Sequence, residues 1–342
     1  YSGGTVVEPT DIPVNKRHLD MMLAHLTLST KPFMGSVTAP SRARDSIEMA
    51  RLVFGRDVME CHAVMQGNIN VNSPLIYDDT MSSALRIYAE AGQCVCVSPA
   101  IFAGAMGPLS PAAVAAQTLA EAMVGIALAQ LVRPGCPVVF GSFHSTMNLR
   151  TGALTFGSPE ANMTTMALSQ LGRRLGVPVR SGGGQITASN APDGQAMQDS
   201  TGAMWSTLIS GAHQVWHAAG WLEGGLSASF EKVIMDVEMI QMMIEMMKPI
   251  DTSEESLGLD AMREAGHGGH FFGTQHTQAR YETAFYEPIL SDWRNFESWT
   301  EAGSPDALKR ANTIYKTILA EYEPPAHDPA RLEELNEFIN KR

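Results

Sequence analysis

The sequence lacks several features that would have placed it quickly. No stretch approaches the roughly 20 uninterrupted apolar residues that a bilayer-spanning helix needs, so a membrane-embedded chain is not expected. A basic excess is absent as well. Lys and Arg total 24 against 36 Asp and Glu, and the formal charge of −12 works against unspecific attraction to phosphate backbones or anionic lipid, so nucleic acid is not an expected partner. The four cysteines, Cys61, Cys94, Cys96 and Cys136, form no Cys-x-x-Cys pair. Cys94 and Cys96 stand two apart in an apolar run that reads as a strand and so share one face. With no signal peptide visible, a reduced, cytoplasmic compartment is the expectation. No Gly-x-Gly-x-x-Gly follows any candidate strand, which argues against an open dinucleotide-binding sheet. No Gly-x-Ser-x-Gly elbow is present, which lowers the case for a serine hydrolase. The chain opens at Tyr1-Ser-Gly-Gly without a methionine, which suggests a processed, truncated or partly ordered form of something longer.

What is present is a long alternation of short apolar runs and helical segments. At 342 residues the chain can hold one large α/β core plus an appendage, and 44% hydrophobic with 18% charged residues is the composition of a globular protein. Candidate strands are Pro32–Val37, Cys94–Ser98, Pro137–Phe143, Val177–Ser181 and His213–Ala218. Helices are expected near Lys16–Thr27, Ser41–Phe54, Thr80–Ala91, Pro111–Val132, Pro159–Leu175 and Asp193–Ser210, with a Met-rich helix near Phe230–Lys248. Ser110-Pro111 and Ser158-Pro159 each set a capping hydroxyl before a proline whose missing N–H a helix start does not need. Such βα units build a parallel sheet, open or closed, and the absent dinucleotide fingerprint favours a TIM (β/α)8-type barrel. The expected division is a barrel over residues 1–250 and a C-terminal helical extension over 251–342, with helices at Ser253–Ala265, Pro305–Tyr322 and Pro329–Asn340.

In a βα barrel the chemistry sits where strands end. Gly35-Ser36, the Ser98 to Gly104 turn, Gly141-Ser-Phe-His-Ser145, Ser181-Gly-Gly-Gly-Gln185 and Gly220-Trp-Leu-Glu-Gly-Gly225 are therefore the candidate site segments. Three consecutive glycines let backbone approach a ligand closely, or simply supply a loop that needs positive φ; both readings stand. Phe143 and His144 follow an apolar run, so one or both could line the mouth, with His144 orienting or protonating a substrate. His267, His270 and His276 fit no metal-ligand spacing with placeable third and fourth ligands, and no metal is expected. Trp205, Trp216, Trp221 and Phe143 offer faces that attract quaternary ammonium ions, or pack in the core. The methionines at 235, 239, 242, 243, 246 and 247 read as one adaptable, buried helix face. Asn68, Asn70 and Asn72 before Ser73-Pro74 are amide donors to a carboxylate or a turn-rich loop.

Several segments together resemble the trimethylamine methyltransferase family, whose broader membership includes glycine-betaine methyltransferases. They are Phe156-Gly-Ser-Pro-Glu160, Ala191-Pro-Asp-Gly-Gln195, Ser210-Gly-Ala212, Gly220-Trp-Leu-Glu223 and the helix Leu226 to Asp236, in consistent order over nearly the whole chain. The resemblance implies a TIM barrel whose first strands lie outside this chain. It also implies methyl transfer from a methylated amine to the Co(I) of a separate corrinoid protein, the cobalamin belonging to that partner and none bound permanently here. Trimethylamine-specific members carry pyrrolysine near the position of Gln185; this sequence has only standard residues there. A neutral tertiary amine must be activated before it loses a methyl group, whereas a quaternary amine releases a neutral one unaided and chiefly has to be positioned. The resemblance thus points to glycine betaine or a related trimethylammonium compound. Phe143 and Trp221 would face the cation, with Glu223 supplying negative field. His144, Arg180 and the Gly182–Gln185 amides, Gly183 and Gly184 among them, would hold a carboxylate. Gln185, Glu223 and His144 are the catalytic candidates. A barrel lyase or hydrolase acting on a small anion, and a non-catalytic betaine-binding subunit, are the alternatives; a homo-oligomer is the default assembly.

Overall fold

A computed structural model describes residues 8–181 and 186–342. Helix α1 (Arg17–Leu28) leads into β1 (Phe33–Gly35), α2 (Pro40–Phe54) and α3 (Arg56–Cys61), then β2 (Met65–Val71) and α4 (Asp79–Glu90), β3 (Cys94–Phe102) and α5 (Pro111–Val132). Strands β4 (Val138–Phe140) and β5 (Phe143–Ser145) precede α6 (Pro159–Arg174); β6 (Arg180–Ser181) precedes α7 (Gly194–Ile209). After β7 (Gln214–Val215) come an antiparallel hairpin, β8 (Trp221–Leu222) and β9 (Ser227–Ala228), and α8 (Phe230–Met246). The two proline starts behave as the sequence requires: Ser110 and Ser158 accept from the N–H groups of Ala113 and Ala161.

Every pairing from β1 to β7 is parallel, β1 to β2, β2 to β3, β3 to both β4 and β5, and β6 to β7, with a parallel Phe140–Val179 bridge joining β4 to the start of β6. Strands β4 and β5 are one strand interrupted: Val97 faces Phe140, Ala100 faces Phe143, and the register is unchanged across the gap. The interruption falls at Gly141, where a Cβ would stand 2.2 Å from Ser98 Oγ and 2.8 Å from the Val97 carbonyl. Only glycine fits there.

The two faces of this sheet differ in chemistry. Met65, Ile69, Val71, Val95 and Val97 are buried in the main core with residues of α1, α2, α4 and α5. Gly67 closes onto the Tyr88 ring of α4 and Gly125 of α5 onto Val97, so this face is the helix-covered one. By alternation the opposite face carries Gln66, Asn68 and Asn70 on β2, Cys94, Cys96 and Ser98 on β3, and Arg180 on β6. It is polar. That polarity explains why β2 is not legible as a strand: Met-Gln-Gly-Asn-Ile-Asn-Val holds a glycine and two asparagines, residues depleted in strands. Asn68 and Asn70 are thus strand residues and not part of a turn-rich loop. Asn72 follows them and exchanges backbone hydrogen bonds with Ile76.

Helix α5 is long and apolar enough to cross a membrane by length and composition. Here it packs on β3 and between α4 and α6. Its Glu121 is buried, where the carboxylate takes the Ser73 hydroxyl at 2.6 Å and the Leu75 N–H at 2.9 Å, holding the turn after β2. In the C-terminal segment the helix expected over 253–265 is split at Gly258, whose φ of 61° is left-handed, into α9 (Glu254–Leu257) and α10 (Leu259–Ala265). Short α11 (Gln275–Gln278) and α12 (Phe296–Glu301) follow. Helix α13 (Ala307–Glu321) packs on α8, and α14 (Pro329–Asn340) packs on α2 with Leu335 in the main core.

Candidate active site

At the ends of β3, β5 and β7 a run of rings stands in contact. Phe102, at the end of β3, meets Phe143 with centroids 5.9 Å apart at 72°. Phe143 meets Phe156 at 5.6 Å and His217 at 5.7 Å, and His217 meets Trp221 edge to face at 5.1 Å and 85°. Phe156 is buried behind the others, while Phe102, Phe143, His217 and Trp221 are half-buried. Strand alternation decides who joins. Phe143 pairs with Ala100 and falls on the polar face of the sheet; His144 pairs with Ile101 and falls on the helix face. There His144 is buried, its Nε2–H donates to the Ala161 carbonyl of α6 at 3.1 Å, and Thr165 Oγ1 lies at 3.1 Å. Burial pushes its pKa down to about 4, so it is neutral at ordinary pH. His144 ties a strand to a helix and stands apart from the rings.

Arg180 lies beneath His217 and is 1% exposed. Its Nη1 donates to the Ser142 carbonyl at 2.6 Å, its Nη2 to His217 Nδ1 at 3.4 Å, and its guanidinium carbon is 4.2 Å from the centre of the Trp216 ring. A carbonyl, an imidazole and an indole face are its partners among the described residues, none of them anionic. Burial pulls its pKa to about 10, which leaves it charged at neutral pH. Burial and this guanidinium together hold His217 at about 3, firmly neutral. His217 also adopts φ 54°, a left-handed backbone unusual for a residue other than glycine.

The hairpin that carries Trp221 is braced from two sides. Gly220, with φ 88°, donates its N–H to Asp236 Oδ2 at 2.9 Å, and Asp236 pairs at 2.5 Å with Lys232. Lys232 also donates to Ser200 Oγ of α7 at 2.8 Å, and both charged side chains are fully buried on α8. From the other side, the N–H groups of Glu223 and Gly224 donate to the carbonyls of Ser189 and Thr187, and Thr187 Oγ1 donates to Asp199 of α7 at 2.6 Å. Glu223 itself has φ 52° and an exposed carboxylate that accepts from Ser227 Oγ at 2.5 Å, two residues beyond Trp221. Gly183, Gly184 and Gln185 lie outside the described residues. The residues on both flanks are placed, Ser181 on Thr207 of α7 at 2.9 Å and Thr187 on Asp199.

Trp221 further lines a cavity of about 350 Å³ with Ser36 just after β1, Asn68 and Asn70 of β2, and Met21 and His25 of α1. This is the side on which α/β folds bind ligands. Phe143, Trp221 and Arg180 are therefore brought together through His217, and Trp216 sits under Arg180. Trp205 is elsewhere, lining a separate groove of about 660 Å³ with Met235, Met239 and Met242 between α7 and α8. Of the methionine row, Met235, Met239 and Met243 are buried and Met242, Met246 and Met247 exposed. Among the described residues no group of three or more His, Cys, Asp and Glu side chains could hold a metal ion.

The family profile described as trimethylamine methyltransferase (MTTB) matches residues 1–342. The chain belongs to this methyltransferase family. It is 40% identical to glycine betaine methyltransferase of Desulfitobacterium hafniense over 342 residues, all of this chain and 71% of that protein. Similarity to trimethylamine methyltransferases is lower: 31% over 255 residues to MttB2 of Methanosarcina mazei, covering 74% of this chain and 50% of that one. MttB of Desulfitobacterium hafniense is 28% identical over 275 residues, 80% of this chain and 55% of that one. The chain thus spans about half the length of the trimethylamine methyltransferases it matches.

Phe102 and Phe156 lie inside segments that the sequence singles out, the Ser98 to Gly104 turn and the family stretch Phe156–Glu160, but neither they nor His217 stand out there as site residues. His217 stands next to last in the His213–Ala218 run, so all three carried a positional signal. What was lacking was the pairing register that faces Phe102 and Phe143 to one side.

Proposed function

We propose that this chain transfers a methyl group from a quaternary methylated amine, glycine betaine or a close analogue, to the Co(I) corrinoid of a separate partner protein, and that its parallel βα units form part of a TIM-type barrel. The observation that carries the proposal is the set of half-buried rings, with Phe143 and Trp221 on either side of a neutral His217 and a fully charged Arg180 directly behind. Aromatic faces attract a trimethylammonium group, and a positive field behind them suits a substrate that also carries a carboxylate. The 40% identity to a glycine betaine methyltransferase points the same way. So does the run at 182–185, which holds only standard amino acids.

The site fits a reaction in which the second reactant arrives from outside. Phe102, Phe143, His217 and Trp221 all keep part of their surface accessible, so the substrate's methyl groups would face an open mouth. The partner's corrinoid supplies the Co(I) nucleophile when it docks there. The chain's own residues bind and orient: the rings hold the cation, Glu223 lowers the local potential, and the leaving tertiary amine is already neutral, so no general acid is required of the protein. The four cysteines are free, in keeping with a reducing, cytoplasmic setting.

Isothermal titration with glycine betaine, trimethylamine, carnitine, choline and proline betaine tests this. Saturable binding of one quaternary amine, weakened about tenfold or more by Trp221→Ala, is the expected result, and that ligand should then be demethylated in a Co(I) assay with the matched corrinoid protein. Silence from all five ligands would remove the reading and favour a barrel enzyme for a small anion.

A further inference from the structure

A zwitterion has two ends, and the ring cluster accounts for one. Arg180 is the obvious charge for the carboxylate, yet it is 1% exposed and its Nη1 and Nη2 are already committed to Ser142 and His217. The side chain in front of it is His217, which is half-buried. A guanidinium has only donors, so the nitrogen it contacts must accept. His217 Nδ1 is therefore unprotonated and the ring proton sits on Nε2. The same residue keeps a left-handed φ of 54° that most side chains avoid, and its ring is wedged between Phe143 at 5.7 Å and Trp221 at 5.1 Å. Among the described residues it touches the cationic group on one side and both aromatic walls on the other.

We propose that His217 is a substrate-binding residue, its Nε2–H taking the carboxylate of a short zwitterion whose trimethylammonium group rests on Trp221 and Phe143, with Arg180 as the positioning residue behind it. The inference rests on the quaternary-amine reading above. Arg180 fixes the tautomer and lends its field to the anionic end without meeting the substrate. The imidazole stays uncharged, so it donates to the carboxylate and does not repel the ammonium beside it. A pocket built this way prefers a betaine to a bare quaternary cation.

Calorimetric titration of the whole chain with glycine betaine and, separately, tetramethylammonium tests it, on the wild type, His217→Gly and His217→Asn. Glycine relieves the backbone and removes the donor. Asparagine tolerates the same φ, offers a carbonyl to Arg180 and restores an N–H. His217→Gly should lose about 10- to 100-fold in glycine betaine affinity with tetramethylammonium changed only a few-fold, and His217→Asn should recover most of the difference. Equal losses for both ligands, or none for either, overturn the inference. Wild-type protein that binds neither overturns the quaternary-amine reading and the inference with it. Should His217→Gly fail to fold, 15N-histidine NMR of the wild type decides. An Nε2–H tautomer whose Nε2 resonance moves with glycine betaine and not with tetramethylammonium supports the assignment, and an Nδ1–H tautomer refutes it.

Discussion

Phe143 and His144 are adjacent in the chain and serve opposite sides of one strand. A sequence can name both as candidates, but only pairing with Ala100 and Ile101 of β3 sends the phenyl ring to the polar face and the imidazole to α6. His144→Gln is accordingly expected to cost about 1–3 kcal/mol of stability through the lost contacts to Ala161 and Thr165, and to change glycine betaine affinity less than twofold. Denaturant unfolding beside calorimetric titration reads both numbers. A large affinity loss in a variant of near-native stability would place His144 in the site after all.

Between elements, the buried Lys232–Asp236 pair is one of the two braces on the hairpin that carries Trp221. It lies on α8, reaches α7 through Ser200 and holds the Gly220 N–H, so three segments meet at one ion pair. Removing one partner leaves the other charge buried and unmatched, which typically costs 3–5 kcal/mol, roughly. Replacing both with apolar groups of similar size avoids that penalty. Asp236→Ala should therefore unfold at markedly lower denaturant, and Lys232→Met with Asp236→Leu should regain most of the stability. The double variant keeps the helices packed and loses the Gly220 anchor, so its KM for the amine should rise even where its melting point recovers. A double variant with wild-type KM would show that the brace is only structural. The Met-rich α8 illustrates the same scale: its spacing marks a stripe, while α7 covers Met239 and Met243, Ala311 of α13 and Leu290 cover Met235, and Met242, Met246 and Met247 stay exposed.

Over the whole molecule, histidines whose pKa burial lowers make stability depend on pH, His144 and His217 most of all. His144 is held near 4 by burial, and His217 near 3 by burial and Arg180, against an unfolded value of about 6.5. Above pH 6.5 neither state binds these protons and their contribution is complete. As pH falls the unfolded chain takes up protons that the folded one refuses, so stability drops, by about 1.4 kcal/mol per pH unit for each histidine until its folded pKa is reached. Thermal or urea unfolding between pH 7.5 and 5 should show this fall, and His144→Gln should make it shallower. An unchanged slope in that variant would mean that His144 already titrates normally in the folded state.

The βα alternation, the proline-led starts of α5 and α6, the family and the absence of a pyrrolysine position all follow from the chain alone, because capping, periodicity and motif are local properties. The polar strand β2 and the break at Gly258 did not, since the pattern of β2 is set by a sheet face turned away from the helices and Gly258 by a left-handed turn. Trp221 and Glu223 were legible as candidates from their place after the last strand. That Arg180 contacts His217, that Phe102 and Phe156 complete the ring cluster, and that Trp205 belongs to another groove were decided only in three dimensions. Residues far apart in sequence meet there through strand register and helix packing, and neither leaves a mark on the local sequence.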